Sequence, residues 1–418
     1  MDFGYLLKGK YDCNCGKEHT CPIDGVSIGE NAICDLELYA KDYNNILLVC
    51  DTNTYKVCGE RVEALLKDKI YDTLVYHSEG FLVPDEAAIE QMEKKLQKKT
   101  DLIIGVGSGV INDLCKYVSF NHNLPYFIVA TAPSMDGYAS NGAALIINNM
   151  KVTYSARVPK VIIGETSVLK DAPMDMIKSG YGDILGKYSC LNDWKLSKLV
   201  NDEYFCQYVY DMTYDVVEKT VPLAKKLLKR DGESIKTLME ALVLVGIAMA
   251  YIGTSRPASG SEHHLSHFFE ITGIIDDEPY FCHGTDVAYS MLVVQKLRDE
   301  ILKMDYPKIK EFDEYYWENN IKRVYKKAAE GIIQLQKNLG MIYQDKTNVY
   351  NEKWTEIKNI LKEVPNVADT EKLLEEIGLP VKDFYEMYSK EKLEDAIKYS
   401  KDLKDRYTVL WLYSHLSK

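Results

Sequence analysis

Apolar residues in the first 170 positions come in short unbroken runs, and this pattern limits the fold more than any other feature of the chain. Ile46–Asp51, Thr73–Tyr76, Leu102–Val106 and Tyr126–Ala130 are four such runs. A strand buried on both faces reads this way, whereas a half-exposed strand alternates apolar with polar residues. The first three runs are each followed by an amphipathic segment of helical period, so the series reads as βαβ units building a parallel sheet. Ala143–Ile147 and Met150–Tyr154, separated by Asn148-Asn149, read as a hairpin on this layer, and Val161–Gly164 as a last strand. From about Asp175 the strand signal fades into helical patterning that continues to the end. With 418 residues and roughly 100–200 residues per domain, the expectation is an N-terminal Rossmann-like parallel-sheet domain over 1–174 and a C-terminal all-helical domain over 175–418.

Composition excludes several classes. Hydrophobic residues at 46% and charged residues at 27% describe a globular chain, not a disordered or collagen-like one. A net charge of −12 argues against a nucleic-acid partner. Met1–Lys10 lacks the apolar core of a secretory signal. The longest apolar stretch, Ala241–Ile252, falls short of the roughly 20 residues of a membrane span. The reading is therefore a buried core helix in a cytoplasmic protein without a membrane span. Ten cysteines without framework spacing then stay reduced. Cys13, Cys15, His19 and Cys21 are close enough in sequence to bind zinc, or to form a reduced surface hairpin.

The residue types that carry chemistry fall into a few segments. His263 and His267, four apart, share one helical face and can hold a divalent metal. His283 opens the segment Cys282-His283-Gly284-Thr285-Asp286 where another helix begins, and Asp183 lies in Gly180-Tyr181-Gly182-Asp183. One carboxylate with two or three imidazoles makes a workable metal shell. Gly105–Asp113 leaves a strand and enters a helix, so the amides at Gly107, Ser108 and Gly109 can meet a pyrophosphate or form a tight structural turn. Asp51 ends the first strand, where a carboxylate takes ribose hydroxyls or caps a turn. The small-residue segment Thr131–Gly142 follows a strand, at the sheet edge where ligands of open α/β sheets bind. Within it Asp136 can accept from a polyol or cap the loop.

In this order, GVGSGVINDLCKY, TAPSMDGYASNGA, GYGDILGKYSCLNDWKL, SRPASGSEHHLSH and CHGTDVAY resemble the iron-containing alcohol dehydrogenase and dehydroquinate synthase superfamily. Over about residues 45–290 they look most like its branch acting on sn-glycerol 1-phosphate. The resemblance implies a catalytic metal, zinc or nickel, in a cleft between the two domains. Its ligands would be Asp183, His263 and His283, with His267 close to the nicotinamide as a catalytic residue. Lys187 stands where iron-dependent relatives have a further histidine ligand, and is expected to attract substrate phosphate. Gly107, Ser108 and Gly109 would lie under the pyrophosphate of NAD or NADP, with Asp113 and Lys116 along the helix behind them. Thr131 and Ser134 would lie near the nicotinamide-side phosphate and ribose. Asp136, a second catalytic candidate, and Ser140 would face the substrate, and Asp51 is compatible with NAD.

The implied reaction interconverts sn-glycerol 1-phosphate, a small phosphorylated polyol, with dihydroxyacetone phosphate, in a homodimer supplying phospholipid backbones. The rivals are a dehydrogenase of glycerol or another unphosphorylated polyol, a dehydroquinate synthase, and a non-catalytic metal- and nucleotide-binding regulatory protein.

Overall fold

A computed structural model describes residues 1–77, 82–147 and 150–417. It divides into two compact units, Met1–Tyr181 with Glu218–Ser255, and Gly182–Val217 with Arg256–Lys418.

The first unit is built on six parallel strands, β1 (Gly25–Gly29), β2 (Ile46–Asp51), β3 (Ile70–Tyr76), β4 (Leu102–Gly107), β5 (Tyr126–Ala130) and β8 (Val161–Glu165), in the order β1-β8-β5-β4-β2-β3. Every residue of β4, β5 and β8 is buried, as is β2 up to Asp51. Alternate residues Leu48, Cys50, Ile104, Val106, Val129 and Ile163 form one apolar cluster on a single face. The strand expected as last in the chain lies inside the sheet, between β5 and β1. β1, Gly-Val-Ser-Ile-Gly, carries too little apolar sequence to announce itself. β6 (Gly142–Ile147) and β7 (Met150–Ser155) pair antiparallel as a separate two-stranded sheet. The turn residues Asn148-Asn149 lie outside the described residues.

Helix α1 (Glu86–Lys95) precedes β4, and α2 (Gly109–Asn121) follows it directly. Gly107 is required there, since a Cβ on it would stand 2.6 Å from Ile111 Cβ. Helix α3 (Met174–Leu185) carries the boundary between the units within it, whereas the sequence reading had placed the boundary at 174/175.

Helix α5 (Gly232–Ile252), which follows α4 (Lys187–Asn201), returns the chain to the first unit, a return that sequence order alone does not disclose. It is 21 residues long with a mean hydropathy of 1.8 over its most apolar window, so by length and composition it is long and apolar enough to cross a membrane. That corrects the expectation that no stretch is long enough, because the helix starts well before Ala241. With 72% of that window buried, it takes the place of a core helix. At Gly246 a Cβ would stand 2.6 Å from that of Ala139, which explains how closely the helix approaches the 131–140 loop.

The second unit is helical and includes α4, α6 (Ser261–Asp276) and α7 (His283–Leu302). Asp193 on α4 fixes α6, with its Oδ2 accepting from the Ser261 amide at 2.7 Å. Its Oδ1 accepts from Arg298 Nη2 at 3.2 Å and from the Val409 amide at 2.9 Å, all fully out of water. Burial raises the Asp193 carboxyl above its usual range against the pull of Arg298, and with both oxygens satisfied the side chain is held in one place.

Candidate active site

The first unit brings one set of expected residues to a single sheet edge. Cys50 pairs with Val106 and Gly107 with Ala130, so the segments starting at Asp51, Ser108 and Thr131 leave β2, β4 and β5 at the same level. Chain order reverses direction between β2 and β4, and open α/β sheets bind ligands at such a reversal. Ser108 makes no side-chain cap to α2, and the first bond of the helix runs from Asn112 N to Ser108 O, so the amides before it point out of the helix start. Gly109 has room around it, with the nearest atom to an added Cβ being Met135 Cε at 3.7 Å. A dinucleotide pyrophosphate fits that set of amides.

Other expected residues have work of their own. Asp51 Oδ1 caps the next turn, accepting from Asn53 N at 2.8 Å and Thr54 N at 2.9 Å. Asp113 accepts from Lys116 Nζ at 3.3 Å and from Ala144 N at 3.2 Å. Lys116, fully buried, also donates to the Gly137 and Gly142 carbonyls at 2.9 and 2.8 Å and to Ser140 Oγ at 3.2 Å. Asp113, Lys116 and Ser140 thus act together to fold the Thr131–Gly142 loop onto α2. Thr131, Ser134 and Asp136 are buried within that loop. Ser134 O accepts from Ser179 Oγ at 3.0 Å, and the bare Cα of Gly180 lies against the Pro133 carbonyl.

The second unit brings together the three residues expected to hold a metal. Asp183, His263 and His283 each bring one ligand atom to within 4.8 Å of the others. Three chain segments converge here because Gly182 on α3 lies against the backbone of Gly284 on α7, where a Cβ would meet the Gly284 carbonyl and stand 2.9 Å from Ala288 Cβ. Asp183 and His283, each next in sequence to one of these glycines, are drawn together. His263 Nε2 lies 3.4 Å from Asp183 Oδ1. His267 is not in the ligand group, but its ring packs 5.5 Å from that of His283 and 6.0 Å from that of His263.

Behind this shell stand groups the sequence reading missed. Glu262 Oε1 accepts from His263 Nδ1 at 2.7 Å and from Gly260 N at 2.8 Å. A carboxylate behind a ligating imidazole fixes its tautomer and aims Nε2 at the metal. Burial opposes the charge of Glu262, but His263 and the Gly260 amide hold its carboxyl below the usual range. Ser266 Oγ lies 3.4 Å from His283 Nδ1 and donates to the His283 carbonyl at 3.2 Å. Neighbours in sequence do not share a helix face, so Glu262 beside His263 gave no periodic signal. Lys187 is fully buried and donates to Asp183 Oδ1 at 2.6 Å and to the Ala258 carbonyl at 2.9 Å. Burial raises the Asp183 pKa, yet Lys187 and His263 hold its carboxyl far below the carboxylate range. His264 lies apart from the ligand group and is fully buried; neither ring nitrogen has a hydrogen-bond partner among the described residues. Burial drives its pKa well down, aided by Arg406, Lys404 and Arg256, so it is neutral. One carboxylate and two oriented imidazoles fit a divalent transition metal with a position open to a substrate oxygen.

Comparison with known proteins identifies the relatives of this chain. Residues 27–173 match the family model described as iron-containing alcohol dehydrogenase. The chain is 31% identical over 414 residues to a glycerol-1-phosphate dehydrogenase [NAD(P)+] of Halalkalibacterium halodurans, covering 97% of this chain and 96% of that one. It is 34% identical over 227 residues to the protein of that name from Methanosarcina mazei, covering 53% and 62%. Among solved structures, an iron-containing alcohol dehydrogenase from Thermococcus thioreducens aligns with a TM-score of 0.61 at 14% identity, covering 90% of each chain. Glycerol dehydrogenase from Schizosaccharomyces pombe aligns at 0.55 and 20% identity, covering 85% of this chain and 92% of that one. These two show the fold.

Proposed function

Since the chain belongs to the glycerol-1-phosphate dehydrogenase branch of the iron-containing alcohol dehydrogenases, we propose that it interconverts sn-glycerol 1-phosphate and dihydroxyacetone phosphate with NAD or NADP. The observation that carries this reading is the convergence of Asp183, His263 and His283, with Glu262 bound to the far nitrogen of His263. In this reading these three residues hold one divalent ion, zinc or nickel, which supplies Lewis acidity at the secondary alcohol or ketone oxygen.

The chain's own groups do the rest. Lys187 and Glu262 set the orientation of Asp183 and His263 before substrate arrives, and Ser266 does the same for His283. His267, beside the ligand rings but outside the ligand group, passes the alcohol proton to water as hydride leaves the carbinol carbon for the nicotinamide. The helix start at Gly107, Ser108 and Gly109 binds the cofactor pyrophosphate, with Thr131 and Ser134 near its nicotinamide-side phosphate and ribose. Asp136 faces the substrate polyol.

The test is NADH and NADPH oxidation with dihydroxyacetone phosphate, before and after chelation and re-addition of zinc or nickel, with dihydroxyacetone as control. The expected result is metal-dependent turnover that requires the phosphate. His263→Ala loses metal and activity together, whereas His267→Ala keeps metal and loses rate by about 10²–10⁴-fold, the range of a proton-transfer group. Turnover of dihydroxyacetone alone would replace this reading with a glycerol-type dehydrogenase. Nucleotide and metal binding without turnover would make the protein a non-catalytic binder.

A further inference from the structure

Residues 10–19, outside all of this machinery, fold back on themselves. Lys10 and His19 exchange two backbone hydrogen bonds of 2.8 Å, and a turn closed by Gly16 N on the Cys13 carbonyl, at 3.1 Å, carries Cys13 and Cys15 across the tip. Gly16 adopts φ +79°, a conformation in which a Cβ is strained. The hairpin presents sulfur on a turn and an imidazole at its base.

That imidazole is fully buried and oriented from behind. His19 Nδ1 lies 3.0 Å from the carbonyl oxygen of Tyr251, near the end of α5, and its ring stacks on the Tyr251 ring at 5.4 Å and 15°. A carbonyl only accepts, so Nδ1 carries the proton and Nε2 presents its lone pair. Nε2 faces Cys15 Sγ at 3.3 Å. Cys13 Sγ joins them, so that these three donor atoms lie within 4.8 Å of one another. Tetrahedral zinc with Zn–S of about 2.3 Å and Zn–N of about 2.05 Å holds its sulfur and nitrogen ligands about 3.6 Å apart. The observed spacing is that of a ligand set, and a backbone carbonyl behind a ligating histidine is the usual outer support of one.

We propose that Cys13, Cys15 and His19 bind a second metal ion, zinc, separate from the catalytic one, tying the N-terminal hairpin to the end of α5. Cys21, which the sequence placed with them, is buried and is not in the group.

The test counts metal in the full chain by mass spectrometry after dialysis against a weak chelator. Wild type is expected to hold two ions per chain. The double variant Asp183→Ala with His263→Ala is expected to hold one, zinc, and after cobalt exchange to show a thiolate-to-metal charge-transfer band. Cys13→Ser with Cys15→Ser is expected to hold one ion without that band and to keep its metal-dependent turnover. A metal-free Asp183/His263 variant that remains folded by circular dichroism would overturn the proposal. So would an unchanged metal count and band in the cysteine variant, or a Cys13–Cys15 disulfide in wild type purified with reductant.

Discussion

Gly182→Ala tests whether the metal shell depends on how closely two helices approach. The added Cβ would stand 2.9 Å from Ala288 Cβ and overlap the Gly284 carbonyl oxygen. Carbon atoms in contact settle at about 3.5–4.0 Å, so that pair alone forces α3 and α7 apart by at least about 0.6 Å. Metal–ligand bonds tolerate about 0.2 Å. Asp183 and His283 sit one residue from the two glycines and move with them, so they can no longer ligate one ion together. The expected cost is about 1–3 kcal/mol of overpacking, a Tm lower by about 2–12 °C, and at least about a 10-fold loss of metal affinity, the scale seen when ligand support is disturbed. Metal titration with a competing chelator and differential scanning fluorimetry read both. If Gly182→Ala retained wild-type metal affinity and Tm, the reasoning that the Gly182–Gly284 contact sets the shell would be refuted.

Two further outcomes follow from other parts of the molecule. Gly109→Ala, whose Cβ meets nothing nearer than 3.7 Å, is expected to fold with wild-type Tm while raising the KM for NADH at least about tenfold, or about 1.4 kcal/mol; an unchanged KM would remove the pyrophosphate from this helix start. The His415 pKa is lowered to about 4 by burial and by Lys401 and Lys346, and Tyr350 Oη lies 2.8 Å from its Nδ1. Because the unfolded chain takes up the proton near pH 6.5 and the folded chain only near 4, stability falls as pH drops through that window, by about 3 kcal/mol in all, and levels off below it. Tm measured from pH 7 to 4 is expected to fall less steeply in His415→Gln than in wild type, and parallel curves would refute the assignment.

Much of the first unit was legible because buried parallel strands are unbroken apolar runs, as Ile46–Val49 and Leu102–Val106 show. β1 was not, since its place at the sheet edge rests on pairing with β8 rather than on its own composition. At the site, spacing and resemblance named Asp183, His263 and His283, which the fold brings together. Glu262, Ser266 and the role of Lys187 depend on which atoms meet across turns and between helices, and sequence distance does not encode that. Asp113 shows the opposite case: a residue beside a glycine-rich turn looked like part of a ligand site, yet its carboxylate holds Lys116 and the Ala144 amide.

The return of residues 218–255 to the first unit has a consequence for synthesis. A nascent chain that has just completed β8 at Glu165 has all six strands but lacks α5, whose side chains fill the core beside the 131–140 loop. The ribosome must add the start of the second unit before that helix emerges, so the 131–140 loop waits without the helix that packs on it. Apolar surface left open in that interval exposes a newly made chain to aggregation or chaperone capture. A fragment ending near residue 174 would be held in that state permanently.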